Sequence, residues 1–187
     1  RVPEESNAGE RDDAMQQAIV DAVDELSRID RGDILVFLSG ERVIRETAET
    51  LGVALLNSIN PWRLEGQKTI VWEMLQQRGW EPPDWIVVPA GALGNTSAFG
   101  KALREAKAFG LIRRVPRVAS IQARGASPFY RSFRTGFEKR FRVRAETVAT
   151  AIRIGDPVSY PKAARAVDET QGVVLSVSEQ EILDSQA

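Results

Sequence analysis

The chain has 187 residues, 43% apolar and 27% charged, a balance typical of a soluble globular domain with enough length for a sizeable core. It holds no cysteine and no histidine, which excludes disulfides, thiolate nucleophiles, cysteine-ligated zinc and any Ser-His-Asp arrangement; acid–base work falls to carboxylates or to Lys68, Lys101, Lys107, Lys139 and Lys162. The formal charge of −1 hides an asymmetry, with 13 acidic and 6 basic residues in 1–51 (net −7) against 13 and 19 in 52–187 (net +6).

In chain order, RVPEESNAGERDD (1–13) is polar and acidic without signal-peptide character, and 1–11 is expected to be a flexible acidic N-terminus. Met15, Ala18, Ile19, Ala22, Val23 and Leu26 follow a 3.6-residue period and predict an amphipathic helix over 12–29. Ile34–Leu38 reads as a buried strand, Val43–Leu51 as a second helix with Gly52 at its C-terminal cap, and Val53–Leu56 as a short strand. A helix from Pro61 to Gly79 precedes a strand at Trp85–Val88. Asn95 or Thr96 is expected to cap a helix that ends at Gly110. A strand at Arg117–Ala123 leads into a basic irregular stretch; helices near 145–152 and 160–169, a strand at Val173–Val177 and a helix from Ser178 complete the chain. Short apolar strands alternating with longer helices predict an α/β fold, a three-layer sandwich around a mostly parallel, Rossmann- or flavodoxin-like sheet, with 1–187 as one domain. No apolar run approaches the ~20 residues of a membrane span. With no cysteine, the expected setting is the cytoplasm.

Ligands of parallel α/β sheets bind beyond the carboxyl ends of the strands, where Gly91, Ala92, Leu93, Gly94 and Asn95 form a loop directly before a helix. Glycines allow close backbone approach, and successive N–H groups with the helix dipole favour an anion. The spacing matches neither GxGxxG nor GxxxxGK[ST], and a tight turn needing glycine explains it equally well. Asn57, Ser58, Asn60 and Arg63 lie at a strand end and in the first turn of the next helix, donors suited to a phosphate or carboxylate.

The stretches NSINPWRLEGQKT, PAGALGN, RVASIQARGASPF, ETVATAIRIGDPVSYPKAARAV and VSEQEIL occur in this order and together resemble threonine synthase, a fold type II pyridoxal-phosphate enzyme, over roughly 52–187. The resemblance implies that the backbone of Gly91–Asn95 holds the 5′-phosphate of pyridoxal phosphate. It also implies that Asn57, Ser58 and Arg63 contact the phosphate of O-phosphohomoserine, and that Ala149–Gly155 lines the substrate side. No lysine stands in the Ser-Phe-Lys-Asp-like context that carries the family's Schiff base, and no segment for the pyridine nitrogen follows VSEQEILDSQA.

RGDILVFLSGERVIRETAETL (Arg31–Leu51), with DDAMQQAIVDAVDELSRI before it, resembles the start of the second RecA-like domain of DEAH-box ATP-dependent RNA helicases, without that family's ATPase motifs. Together these features lead to the expectation of an engineered or recombined chimera, joined somewhere in 45–53 between a helicase-like part (12–51) and a synthase-like part (52–187). Such a unit is expected to lack catalytic activity, to need no metal and no cofactor, and to hold pyridoxal phosphate or another phosphate-type anion only without a covalent bond. The alternative is a threonine synthase fragment active after complementation; the third reading is an RNA-binding module using Arg131–Arg144, where six basic residues interleave with Phe133, Phe137 and Phe141. Nucleic acid is not the favoured partner, no membrane is expected, and self-association through exposed synthase surface is.

Overall fold

The computed structural model describes residues 5–29, 32–34, 36, 41–53 and 60–186. Residues 1–59 and 60–187 form two separate compact units. In the first, α1 (Glu5–Ile29) begins earlier than the apolar period suggests, and α2 (Glu41–Leu51) follows. Gln16 Nε2 donates to Thr50 Oγ1 at 2.9 Å between them, and Thr47 and Ala48 are buried. Gly52 ends α2 at φ +63°, and Val53 N donates back to Ala48 O at 3.1 Å; the left-handed turn is open to glycine at little steric cost. The strands expected at Ile34–Leu38 and Val53–Leu56 fall largely outside the described residues.

The second unit carries α3 (Trp62–Gln67), α4 (Thr69–Gln77), β1 (Trp85–Pro89), α5 (Gly94–Ala108), β2 (Arg117–Ala123), α6 (Pro128–Phe133), α7 (Tyr160–Glu169), β3 (Val173–Val177) and α8 (Glu179–Asp184). The strands pair in the order β1-β2-β3, all parallel, with Val87 opposite Ala119 and Ala119 opposite Val173. This is the α/β architecture with a parallel sheet that the alternation of elements predicts. Ile86, Val88 and Val118 cluster with Val71 and Leu75 of α4 and with Ala98, Ala102 and Leu103 of α5. Val174 clusters with Phe129 of α6 and with Ala163 and Val167 of α7. On the opposite side of the same strands, Trp85, Val87 and Leu175 remain exposed at 41%, 65% and 49%.

Three local expectations are corrected. The helix expected over 61–79 is divided at Lys68, where Thr69 Oγ1 donates to the Gly66 carbonyl at 2.6 Å and competes with the helical ladder. The cap expected from Asn95 or Thr96 is absent: α5 starts at Gly94 with Leu93 as N-cap and no side-chain capping bond. The helix near 145–152 does not form; only Thr150–Ile152 makes a 3₁₀ turn. There the backbone bonds across the fold, from Val143 N to Gly155 O at 3.0 Å and from Glu146 N to Gly125 O at 3.1 Å. Gly155 and Gly125 permit this approach, since a Cβ on either would collide with the carbonyl of Val143 or Glu146.

Helices α5 and α7 cross at Gly100, where an added Cβ would overlap Ala166. Gly100→Ala is expected to cost about 1–3 kcal/mol of stability, measured by urea unfolding, through forced separation of the helices. An unchanged midpoint would mean that the crossing is looser than described.

Candidate anion and cofactor site

The site begins where β1 ends. Ala90 N donates to Ile121 O at 2.8 Å, the last bond tying this strand end to β2. Leu93, buried at 2%, then adopts φ +67° and ψ 14°, a left-handed conformation that turns the chain into α5. The carbonyls of the turn are bonded into the fold. Ala92 O accepts from Ser159 N at 3.2 Å, and Leu93 O accepts from Ser97 N at 3.0 Å and Ser97 Oγ at 2.8 Å. The N–H groups of Gly91 through Thr96 donate to no partner among the described residues. Gly91, Leu93 and Thr96 are buried. A buried donor without a partner costs about 1–3 kcal/mol, so a run of them is stable only against an acceptor with several oxygens or against water. That donor set, at the positive end of a 15-residue helix, fits a phosphate group.

Three elements frame this cradle. The segment 150–154 lies over Gly91, where a Cβ would stand 3.0 Å from Ile152 Cα and 3.2 Å from Ala151 O. Gln67 of α3 lies against Gly94, with its Oε1 3.2 Å from the position a Cβ would take. Gln122 of β2, fully buried, donates from Nε2 to Ala90 O at 3.1 Å and accepts from Tyr130 N on Oε1 at 2.9 Å, tying the loop's first residue to α6. Beneath the first turn of α5, Thr96 Oγ1 and Ser120 Oγ share a buried hydrogen bond of 3.0 Å.

Gly91, Ala92, Leu93, Gly94 and Asn95 are thus brought together as expected of neighbours in a loop. Arg63 sits exposed in the first turn of α3, and Asn60 Oδ1 accepts from Trp62 N at 2.9 Å as a helix-start turn. Asn57 and Ser58 lie outside the described residues. Gln67 and Gln122 were not singled out from the sequence; a glutamine within an apolar strand is the one signal that pointed to the second.

A ridge of ion pairs joins α3 to α5. Lys68 Nζ contacts Glu65 Oε2 at 2.6 Å and Glu105 Oε2 at 2.8 Å, and Lys101 bonds Glu65 on the other side. The Lys101 and Lys68 ammonium groups hold the Glu65 carboxyl at about 2, below its ordinary 4.5. Lys68 is pushed upward by its bonds to Glu105 and Glu65, which keeps it an ammonium rather than a free amine nucleophile. In the basic stretch, Phe133 and Phe137 turn inward; Phe137 lies 5.2 Å from Phe129 and 6.3 Å from Tyr160, ring centre to ring centre. Among the described residues no helix is long and apolar enough to cross a membrane, and no cluster of acidic side chains has the makings of a metal site.

A parallel α/β unit with a glycine-rich anion cradle at a strand end defines a class of phosphate- and cofactor-binding enzymes. The chain belongs to the pyridoxal-phosphate dependent enzyme family, whose model matches residues 17–187. It is 44% identical over 147 residues to threonine synthase 2, chloroplastic, of Arabidopsis thaliana, covering 78% of this chain and 28% of that protein. It is 42% identical over 145 residues to threonine synthase of Methanocaldococcus jannaschii, covering 77% and 36%. Among solved structures it is similar to maize serine racemase (TM-score 0.62, 26% identity, covering 82% of this chain and 44% of that one). It shares the fold of Escherichia coli threonine synthase (TM-score 0.55, 20% identity, covering 75% and 31%). The chain spans about a third of the length of these curated relatives.

These findings correct four expectations. The family match takes in Arg31–Leu51, so neither a helicase segment nor a chimeric or engineered origin has support. The expectations of a unit without catalytic activity, of a protein that is not an enzyme, and of no required cofactor are overturned by relatives that are enzymes of a pyridoxal-phosphate family. Their physical premise was a missing Schiff-base lysine, and a chain spanning a third of its relatives carries no information about a lysine elsewhere.

Because Glu65 titrates lower in the folded chain than its ordinary 4.5, its contribution is present above that pH and is lost as pH falls toward about 2. Glu65→Gln is therefore expected to lower the Tm at neutral pH and to match the parent near pH 2; a gap of constant size would contradict the ion-pair ridge. Gln122→Leu leaves the buried Ala90 O and the part-buried Tyr130 N without these partners and should cost about 1–3 kcal/mol, read by urea unfolding.

Proposed function

We propose that this chain is part of a pyridoxal-phosphate-dependent threonine synthase, forming threonine from O-phosphohomoserine together with the remainder of such an enzyme. The observation that carries the reading is the run of unpartnered N–H groups from Gly91 to Thr96 at the carboxyl end of β1. Here the loop backbone binds the cofactor's 5′-phosphate, and the helix dipole of α5 adds to the attraction. Bound there, pyridoxal phosphate supplies an electron sink for proton transfers on an amino-acid substrate. Gln67 of α3 borders the loop at Gly94. The segment Ala149–Gly155 closes the loop from above through Ile152 and excludes water from Gly91. Asn57, Ser58 and Arg63 take the substrate phosphate; of these, Arg63 is placed one turn from Gln67 on α3. The identity to threonine synthases along most of the chain supports this substrate over those of other enzymes with the same fold.

The test is a two-dimensional amide NMR titration with pyridoxal 5′-phosphate, followed by a mixing experiment with the missing segments of a threonine synthase. Shifts confined to Gly91–Thr96 and to α3, displaced by inorganic phosphate, are expected. Gly91→Ala, whose Cβ meets Ile152 Cα at 3.0 Å, should weaken binding about tenfold or more. Threonine formation on mixing is expected. A folded chain whose amides ignore the ligand, or a mixture that leaves O-phosphohomoserine intact, would overturn the reading.

A further inference from the structure

Gln67 is the last residue of α3, half-buried, and its neighbours in the chain tie that helix to α5. Lys68 Nζ bonds Glu105 Oε2 at 2.8 Å, and Glu65 bonds Lys101. These pairs fix the end of α3 against α5, and with it the backbone that carries the Gln67 side chain. A glutamine offers two N–H donors and a carbonyl oxygen. Neither end of this amide finds a hydrogen-bond partner among the described residues. Gln122 is the contrast, since both ends of its amide are bonded within the fold.

The place of the amide follows from Gly94, the first residue of α5. A Cβ there would stand 3.2 Å from Gln67 Oε1 and 3.8 Å from Nε2. Cα–Cβ bonds of an α-helix tilt toward its N-terminus, so a group at that position flanks the open end of α5. That end is where the N–H groups of Gly91 through Thr96 have no partner among the described residues. Rotation about the terminal torsion of a glutamine exchanges its oxygen and nitrogen at small cost, which brings Nε2 to the position of Oε1. The ammonium groups of Lys68 and Lys101 are engaged by Glu65 and Glu105. A phosphate beside Gly94 therefore meets a neutral donor on this flank rather than either ammonium.

We propose that Gln67 Nε2 donates to an oxygen of the cofactor's 5′-phosphate, a role that rests on the reading of Gly91–Thr96 as the cradle of pyridoxal phosphate. Helix α3 thereby adds a side-chain donor to the backbone donors of the loop and orients the phosphate from the Gly94 side. The residue acts on binding and orientation and moves no proton. Gly94 belongs to the same arrangement, because the amide lies in tight contact with the space a Cβ would fill.

NMR titration of the full 187-residue chain with pyridoxal 5′-phosphate, observing backbone and side-chain amides, tests the role. In the parent chain the Gln67 side-chain NH2 is expected to shift with the same Kd as the backbone amides of Gly91–Thr96. Gln67→Met keeps the length of the side chain and removes the donor; it should weaken binding about three- to tenfold. Its Tm should equal that of the parent, because no protein group loses a partner. Gln67→Glu sets a carboxylate beside the phosphate and should weaken binding further, about tenfold or more at neutral pH. Binding by the parent with a stationary Gln67 side-chain signal, or with undiminished affinity in Gln67→Met and Gln67→Glu, would overturn this role and leave the cofactor reading standing. Weaker binding matched by a lower Tm in both variants would also overturn it, since it would assign Gln67 to the packing of α3. A parent chain whose Gly91–Thr96 amides ignore the ligand would overturn both.

Discussion

Everything at the strand end turns on one backbone constraint, the left-handed Leu93. A buried leucine at φ +67° costs roughly 1–2 kcal/mol relative to an ordinary conformation, and the fold must hold it there. It is held by its own carbonyl, bonded to Ser97 N and Oγ, and by Ala92 O, bonded to Ser159 N at the start of α7. With those carbonyls occupied, the N–H groups are what remains. The strain and the open donors are therefore one feature: the turn that starts α5 without a side-chain cap also leaves its N–H groups without a partner among the described residues.

The surrounding structure fixes this turn from several sides. Gln122 reaches from the sheet to Ala90 and α6, so the loop's origin moves only if a buried side chain moves. Glu65, Lys68, Lys101 and Glu105 bind α3 to α5, which sets Gln67 against Gly94. The segment Ala149–Gly155, with its 3₁₀ turn at Thr150–Ile152, is anchored near its flanks by the bonds from Glu146 N to Gly125 O and from Val143 N to Gly155 O, and Ile152 lies against Gly91. The ridge is half exposed and individually weak, so its role is positional more than energetic.

The charge asymmetry between 1–51 and 52–187 shows how a true observation supports a wrong origin. Among the described residues, Asp13, Asp21, Asp24, Glu25 and Glu49 lie exposed on helices, where either sign is tolerated. Composition of a solvated surface drifts freely within a family, so a change of sign along the chain is poor evidence of a junction. The family match through the same residues is what decides the matter.

From local pattern alone, β2 and β3 were legible to the residue, and α7 likewise, because apolar period and terminal Pro, Gly and Ser signals are short-range properties. Gly91–Asn95 was legible as a glycine-dependent turn between a strand and a helix, from its glycines and its place in the chain. What the chain's order could not express is which backbone groups find partners across the fold. The segment 145–152 has a helical pattern, yet its N–H groups bond to residues such as Gly125, twenty-one positions from Glu146. Gln67 and Gln122 act through contacts with Gly94 and Ala90, and Glu179 keeps an unpartnered oxygen only because Val148 and Thr147 take the other. Periodicity and turn chemistry are written in neighbouring residues; pairing between distant ones is decided when the sheet brings them together.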